Sequence, residues 1–250
     1  MLRQLADVGV LSLRRAARGW LAAVSIPVYT LAFIVAAKML APLGIIGSLI
    51  LGFVSAALCA GYLSLLASVV AGEPIRLRDL KSGMRAIWDV MSVFFAMWIV
   101  SLVLGPIERG AGDNAVAVAG IVQLAIAIFL NALPEVIYNG DGRSFAAFKE
   151  SASFVMEHPV AWFAPNLVLA FVFFWATGTL SLSSPGQVLT QLSELASAQG
   201  VLALILGNPY WKIPVLIVFV HYAMVFRGVL YRELRSGSGR MRAFRRRMAA

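Results

Sequence analysis

Charge is scarce in this sequence. Only 13% of its 250 residues are Asp, Glu, Lys or Arg, while 60% are hydrophobic. A soluble domain of this size has about 25% charged residues. There is too little polar surface here to cover a globule in water, which excludes an ordinary soluble fold. Cysteine is nearly missing too: Cys59 stands alone. An intrachain disulfide and a cysteine-based metal site are therefore ruled out. The two histidines, His158 and His221, have no carboxylate cluster beside them and make a poor metal site. Acid is scarcer than base, with 12 Asp and Glu against 21 Lys and Arg. No cofactor and no metal is expected.

What is abundant is long apolar runs. Six reach the roughly 20 residues that cross a bilayer core: about 20–41, 43–70, 88–106, 115–138, 160–182 and 209–231. The first resembles an uncleaved signal sequence, but five more follow, so it reads as a span. The fold class is all-α: a polytopic integral membrane protein with one six-helix transmembrane domain over 1–235. A basic tail, 236–250, is expected to be flexible. Trp20, Trp88 and Trp162 each open an odd span, where indole rings favour the interface.

The basic residues are sorted by side. All but Lys38, Arg109 and Lys212 lie before span 1, in the links 2–3 and 4–5, or from the end of span 6 onward. The positive-inside rule puts both termini in the cytoplasm, and the expected location is a bacterial cytoplasmic (inner) membrane. Nucleic acid is not an expected partner, because the basic residues flank spans and build no recognition motif.

The two cytoplasmic links look alike. Set VAGEPIRLRDLKSGMRAIWD (70–89) over YNGDGRSFAAFKESASFVME (138–157): Gly72 meets Gly140, and Lys81 meets Lys149. Leu77, Leu80, Met84 and Ile87 match Phe145, Phe148, Ala152 and Val155, each set on one helical face. Both read as short amphipathic helices on the inner leaflet, apolar side into the acyl boundary. The first 20 residues, with Leu2, Leu5 and Leu13, form a weaker third copy, giving three units of shelf helix plus hairpin. Val188, Leu192 and Leu195 suggest another surface helix in the external link 183–200.

Those exits carry a resemblance. GYLSLLASVVAGEPIRLRDLKSGMR and LPEVIYNGDGRSFAAFKESASFVMEHP are similar to the helix exits of bacterial six-helix membrane-protein families. These uncharacterised families are grouped with the membrane domain of glycerophosphodiester phosphodiesterase. The resemblance covers most of the chain and implies a six-helix membrane fold. The group has no agreed catalytic residues, so it assigns none here.

Candidate chemistry rests on the few polar groups inside spans. Glu135 and Arg227 sit about a turn inside the cytoplasmic ends of spans 4 and 6. An ionisable side chain at mid-bilayer costs about 2.5–3.5 kcal/mol on insertion scales. Three readings stay open: an ion pair, separate snorkelling to the headgroups, or a substrate contact. Pro134 loosens the turn before Glu135 and frees a carbonyl. His221, Asn131 and Asn166 are the other polar residues at depth. They bond across helices, or line one polar cavity with Glu135 and Arg227 as a ligand site. The expected membrane-surface residues are Phe145, Phe148, Lys149, Leu77, Leu80, Lys81, Arg245, Arg246 and Arg247, against anionic inner-leaflet lipid. A protein partner on the cytoplasmic face fits the same pattern.

Signatures of intramembrane catalysis are not found. NGDG (139–142) lies at a turn with no second membrane aspartate, and SGSGR (236–240) lies in the polar tail. Neither HExxH nor a phosphate loop occurs. The expected function is a non-enzymatic inner-membrane scaffold, regulator or accessory subunit in envelope maintenance. The alternative is a transporter or lipid-handling permease with a polar cavity between spans 4, 5 and 6.

Overall fold

A computed structural model describes residues 2–75, 77–110, 112, 115–140, 145–177 and 212–248, without the side chains of 2–4, 77–85, 108–109, 115–116, 119 and 238–248. The described residues are helical, with no strand among them. The helices are α1 (Leu2–Arg18), α2 (Trp20–Leu40), α3 (Gly44–Ala71), α4 (Leu77–Gly110) and α5 (Ala115–Phe129). After them come α6 (Leu133–Asn139), α7 (Phe145–Glu157), α8 (Pro159–Thr177) and α9 (Ile213–Met248).

Five stretches among the described residues are long and apolar enough to cross a membrane: Trp20–Ala71, Ala86–Ile107, Gly120–Asn139, Pro159–Thr177 and Ile213–Gly237. The first is a hairpin. A 3-10 turn, Ala41–Leu43, and the positive φ of Gly44 reverse the chain. Gly19 then faces Val69, and Tyr29 faces Gly61, so α2 and α3 run antiparallel. Large apolar side chains stand bare on the outer faces, among them Leu31, Ile45, Leu49, Val168 and Trp175. Water would not tolerate so dense a set, whereas lipid requires it. Trp20 and Trp88 are exposed, as interfacial anchors should be.

The core sits where α1, α3, α6, α7, α8 and α9 meet. It is built from Leu66, Val70, Val136, Phe154, Trp162 and Tyr231, with Val8 and Ala16 reaching in from α1. α1 turns Val8, Ser12, Ala16 and Gly19 inward, a stripe of small residues that lets it lie close along the bundle. Leu13, expected on its apolar face, is exposed.

The first shelf helix is not separate. Leu77 to Gly110 is one continuous helix, so residues 77–87 run into the apolar stretch without a break. The second is separate, because the chain bends at His158 before Pro159. α7 packs one face on the protein, and that face includes Val155, which was expected on the lipid side. Ala147, Ser151, Phe154 and Val155 are buried in the protein, while Phe145 is exposed and Phe148 half-buried. Phe154 therefore packs against protein, not acyl chains. It lies 5.2 Å from the Trp162 ring and 4.4 Å from Tyr231. Lys149 stays exposed as expected. A surface ion pair, Arg235 to Glu150 at 2.7 Å, ties α7 to α9, for at most ~1 kcal/mol.

The basic tail also differs. α9 runs helically through Met248 with no break at Ser236–Gly239. Leu77, Leu80, Lys81, Arg245, Arg246 and Arg247 lie outside the described side chains, and the external link 183–200 lies outside the described residues altogether.

Two matched glycines adopt one geometry. Gly72 ends α3 at φ 80°, and Gly140 ends α6 at φ 75°. A left-handed residue lets the last carbonyls be bonded from behind, and only glycine adopts it without steric cost. A third glycine works by closeness. A Cβ on Gly228 would overlap the Tyr138 hydroxyl and come within 2.7 Å of Val70 Cγ2. Gly228→Ala should destabilise the bundle by about 1–3 kcal/mol, since both neighbours are buried and cannot retreat. Gly52 has nothing within 4 Å, so Gly52→Ala should be neutral or slightly stabilising. Unfolding of the detergent-purified variants, followed by helical circular dichroism, checks both.

Candidate functional site

The site begins with a broken helix. α5 stops at Phe129, and α6 starts at Leu133 with Pro134 in its first turn. Proline has no N–H to offer the turn before it. Leu133 N–H instead bonds back to the Leu130 carbonyl at 3.0 Å. The break frees the carbonyls of Phe129 and Asn131. In an apolar interior an unpaired carbonyl costs several kcal/mol, so each needs a donor from elsewhere in the chain.

Both find one. The Ser151 hydroxyl on α7 donates to Phe129 O at 2.9 Å. The Arg227 guanidinium on α9 donates through Nη2 to Asn131 O. That guanidinium also meets Glu135 as a fork: Nε to Oε1 at 2.7 Å and Nη2 to Oε2 at 3.1 Å. Bidentate charge-assisted pairs of this kind are the strong ones. Glu135 is fully buried, and the Arg227 side chain only 18% exposed. The ion pair is therefore formed, and snorkelling of Glu135 is ruled out.

Trp162 closes the arrangement. Its ring lies under the guanidinium, with Arg227 Cζ 5.0 Å from the centroid, a favourable cation–π distance. Its Nε1–H donates to Asn131 Oδ1 at 2.9 Å. The sequence placed this tryptophan at the membrane interface, but the structure buries it completely. An indole is stable inside a bundle when its N–H has a partner, and Asn131 supplies one.

Of the five candidate ligand residues, three come together: Glu135, Arg227 and Asn131. Asn166 does not bond across helices. Its Nδ2 donates to the Trp162 carbonyl four residues back, at 2.7 Å. His221 stands on the α1 side of α9, with its ring against the backbone of Ala16. Neither ring nitrogen makes a hydrogen bond of normal geometry, although the residue is 97% buried on its 3% relative exposure. The Tyr62 and Tyr138 hydroxyls are also buried without a partner among the described residues. No group of three His, Cys, Asp or Glu side chains suited to a metal occurs among the described residues.

Sequence reasoning missed Ser151 and Trp162 as partners of this site. Ser151 had a signal, since it is the one hydroxyl on the inward stripe Ala147, Ser151, Phe154. Trp162 had none, because an interfacial and a buried indole look the same in sequence.

What the arrangement does chemically is hold α6, α8 and α9 together. Removing one charge leaves the other buried and unpaired, which costs about 3–5 kcal/mol. Glu135→Gln and Arg227→Gln should each destabilise by that order. The double variant should fall well short of their sum, with a coupling energy of about 1–3 kcal/mol. Trp162→Phe keeps the ring and loses the N–H bond, for about 1 kcal/mol. A double-mutant cycle of unfolding free energies measures all three. Equal, additive losses would mean that the pair does not act as a unit.

Comparison of the chain with family models, curated proteins and solved structures gives no match. Its function is therefore argued from its own chemistry.

Proposed function

We propose that the chain is a non-enzymatic scaffold, regulator or accessory subunit of a bacterial inner membrane, acting in envelope maintenance. In this reading it crosses six times, with both termini in the cytoplasm. Its plan is three units of amphipathic helix plus hairpin, and its family is the six-helix group that its helix exits resemble. The paired left-handed glycines at the ends of α3 and α6 support the repeat. The basic residues on the proposed cytoplasmic side favour anionic lipid there. Phe145, Lys149 and Met156, exposed on α7, offer a face for a protein partner.

One observation carries the reading. The charged groups inside the spans, Glu135 and Arg227, are spent on each other and on a freed carbonyl. A carboxylate that binds cargo needs a free lone pair and a path to it, yet Glu135 has no exposed surface. The permease reading keeps one point in its favour: His221, buried against the Ala16 backbone with neither ring nitrogen in a hydrogen bond of normal geometry among the described residues, is the kind of group a transported proton or polar ligand would use.

Extraction into native-lipid nanodiscs separates the two. Mass spectrometry of the purified particles should find a protein at fixed stoichiometry for a scaffold. A single enriched metabolite or lipid, lost in His221→Ala while the fold persists, would favour the permease. The lone cysteine makes topology equally testable. In a Cys59→Ser background, Ser153→Cys and Ser236→Cys should label only from the cytoplasmic side, and a cysteine at Ser193 only from outside. External labelling at position 153 would invert the proposed arrangement.

A further inference from the structure

α3 ends with a carbonyl that receives two charges. Beyond Ala71 the left-handed Gly72 turns the chain, and the Gly72 and Glu73 N–H groups bond back to Val69 O and Ser68 O. The Val70 carbonyl is left over. Arg15 of α1 donates to it through Nη1, and Arg232 of α9 does the same at 3.0 Å. The negative end of a helix attracts cations, but it amounts to only about half a charge. Two guanidiniums exceed that.

Among the described residues nothing neutralises them directly. Among the described residues neither arginine has a carboxylate within ion-pair distance; the described pairs are Arg227–Glu135 and Arg235–Glu150. Glu233 acts on Arg15 more weakly than Arg232 does. Partial burial and then the Arg232 charge hold the Arg15 guanidinium below its ordinary pKa. Each arginine uses one N–H group on the carbonyl and keeps others free. Those of Arg15 have a direction. The three nearest atoms to a Cβ placed on Gly72 would be its Nε at 3.7 Å, its Cζ at 4.0 Å and its Nη2 at 4.0 Å. Gly72 has no side chain, so the notch above it stays open, with the guanidinium fork as its wall. A planar fork of Nε and Nη2 matches the spacing of two phosphate oxygens.

Position selects among anions. The notch lies at the end of an apolar helix of 28 residues. Gly19, just before the exposed Trp20, packs beside it on Val69. Tryptophans exposed at helix ends sit at headgroup depth. At that depth the phosphate present at high local concentration is the lipid's own. We infer that Arg15 and Arg232, with Gly72 keeping the notch open, form a binding site for the phosphodiester of an anionic lipid headgroup. The site lies apart from the Glu135–Arg227 pair. It needs the chain to sit in a membrane but not to be a scaffold, so it stands or falls separately from that reading.

The test is native mass spectrometry of the full chain from phosphatidylcholine micelles containing a minor share of phosphatidylglycerol. Wild type should retain phosphatidylglycerol preferentially. Arg15→Gln and Arg232→Gln should each lower retention by roughly tenfold. Arg14→Gln, exposed one residue away, removes the same charge without touching Val70 and should bind as wild type does. Arg15→Lys guards against simple misfolding. It keeps the charge and a donor for the carbonyl but loses the fork, so it should melt close to wild type in phosphatidylcholine and still bind weakly. Equal retention by the Arg14 and Arg15 variants would overturn the site in favour of general attraction. Protection or displacement by inorganic phosphate as effective as by phosphatidylglycerol would overturn the lipid assignment.

Discussion

The bundle depends on two carbonyl oxygens that a broken helix cannot satisfy. Pro134 stops the ladder of the fourth apolar run from closing, and the chain turns through Leu130 to Ala132 before it resumes. In water such a break would be hydrated at little cost. Among apolar helices the Phe129 and Asn131 carbonyls must be bonded by protein. That need brings Ser151 of α7 to one and Arg227 of α9 to the other. The buried charge this introduces then requires a counter-charge, and Glu135 follows the break by a single turn. Carbonyl, guanidinium and carboxylate thus form one chain of necessity, in which each group is tolerable only because of the next.

Packing follows from the same contacts. Once Arg227 is anchored to α6, the neighbouring Gly228 lies against Tyr138 and Val70, where no side chain would fit. Trp162 fills the space beneath the guanidinium and carries Phe154 and Tyr231 with it. α7 is consequently drawn inward on its Ser151 face. This is why its buried stripe differs from the one that membrane amphipathicity alone would choose.

The sequence made the large features legible and the local choices only in part. Long apolar runs and sparse charge point to the apolar helices, the glycines at 72 and 140 to two of their ends, and Pro134 to the break. The proximity of Glu135 and Arg227 was visible as two opposite charges at similar depth. What could not be read was which face of a helix meets protein and which meets lipid, because both are apolar. Trp162, read as an interfacial anchor and found buried, went astray for that reason. The continuity of α4 and of α9 past Ser236 escaped for another. Short polar stretches with a glycine or serine are read as breaks, yet a helix already anchored by a long apolar neighbour continues through them at a cost of about 1 kcal/mol per glycine.

α9 carries the same device twice. Arg227 and Arg232, five residues apart, each bond a carbonyl that a neighbouring helix has left over: Asn131 O at the break before α6, and Val70 O at the end of α3. The difference is depth. The inner arginine is surrounded by protein, so its counter-charge must be built into the chain, and Glu135 is that charge. The outer one shares its carbonyl with Arg15 at the end of α3, and among the described residues no carboxylate lies within ion-pair distance of either. A protein that neutralises the buried guanidinium and leaves the peripheral pair open is arranged as though the membrane itself completes the second site. On this argument the lipid is a structural counterion to the α1–α3–α9 junction, doing at the surface what Glu135 does inside.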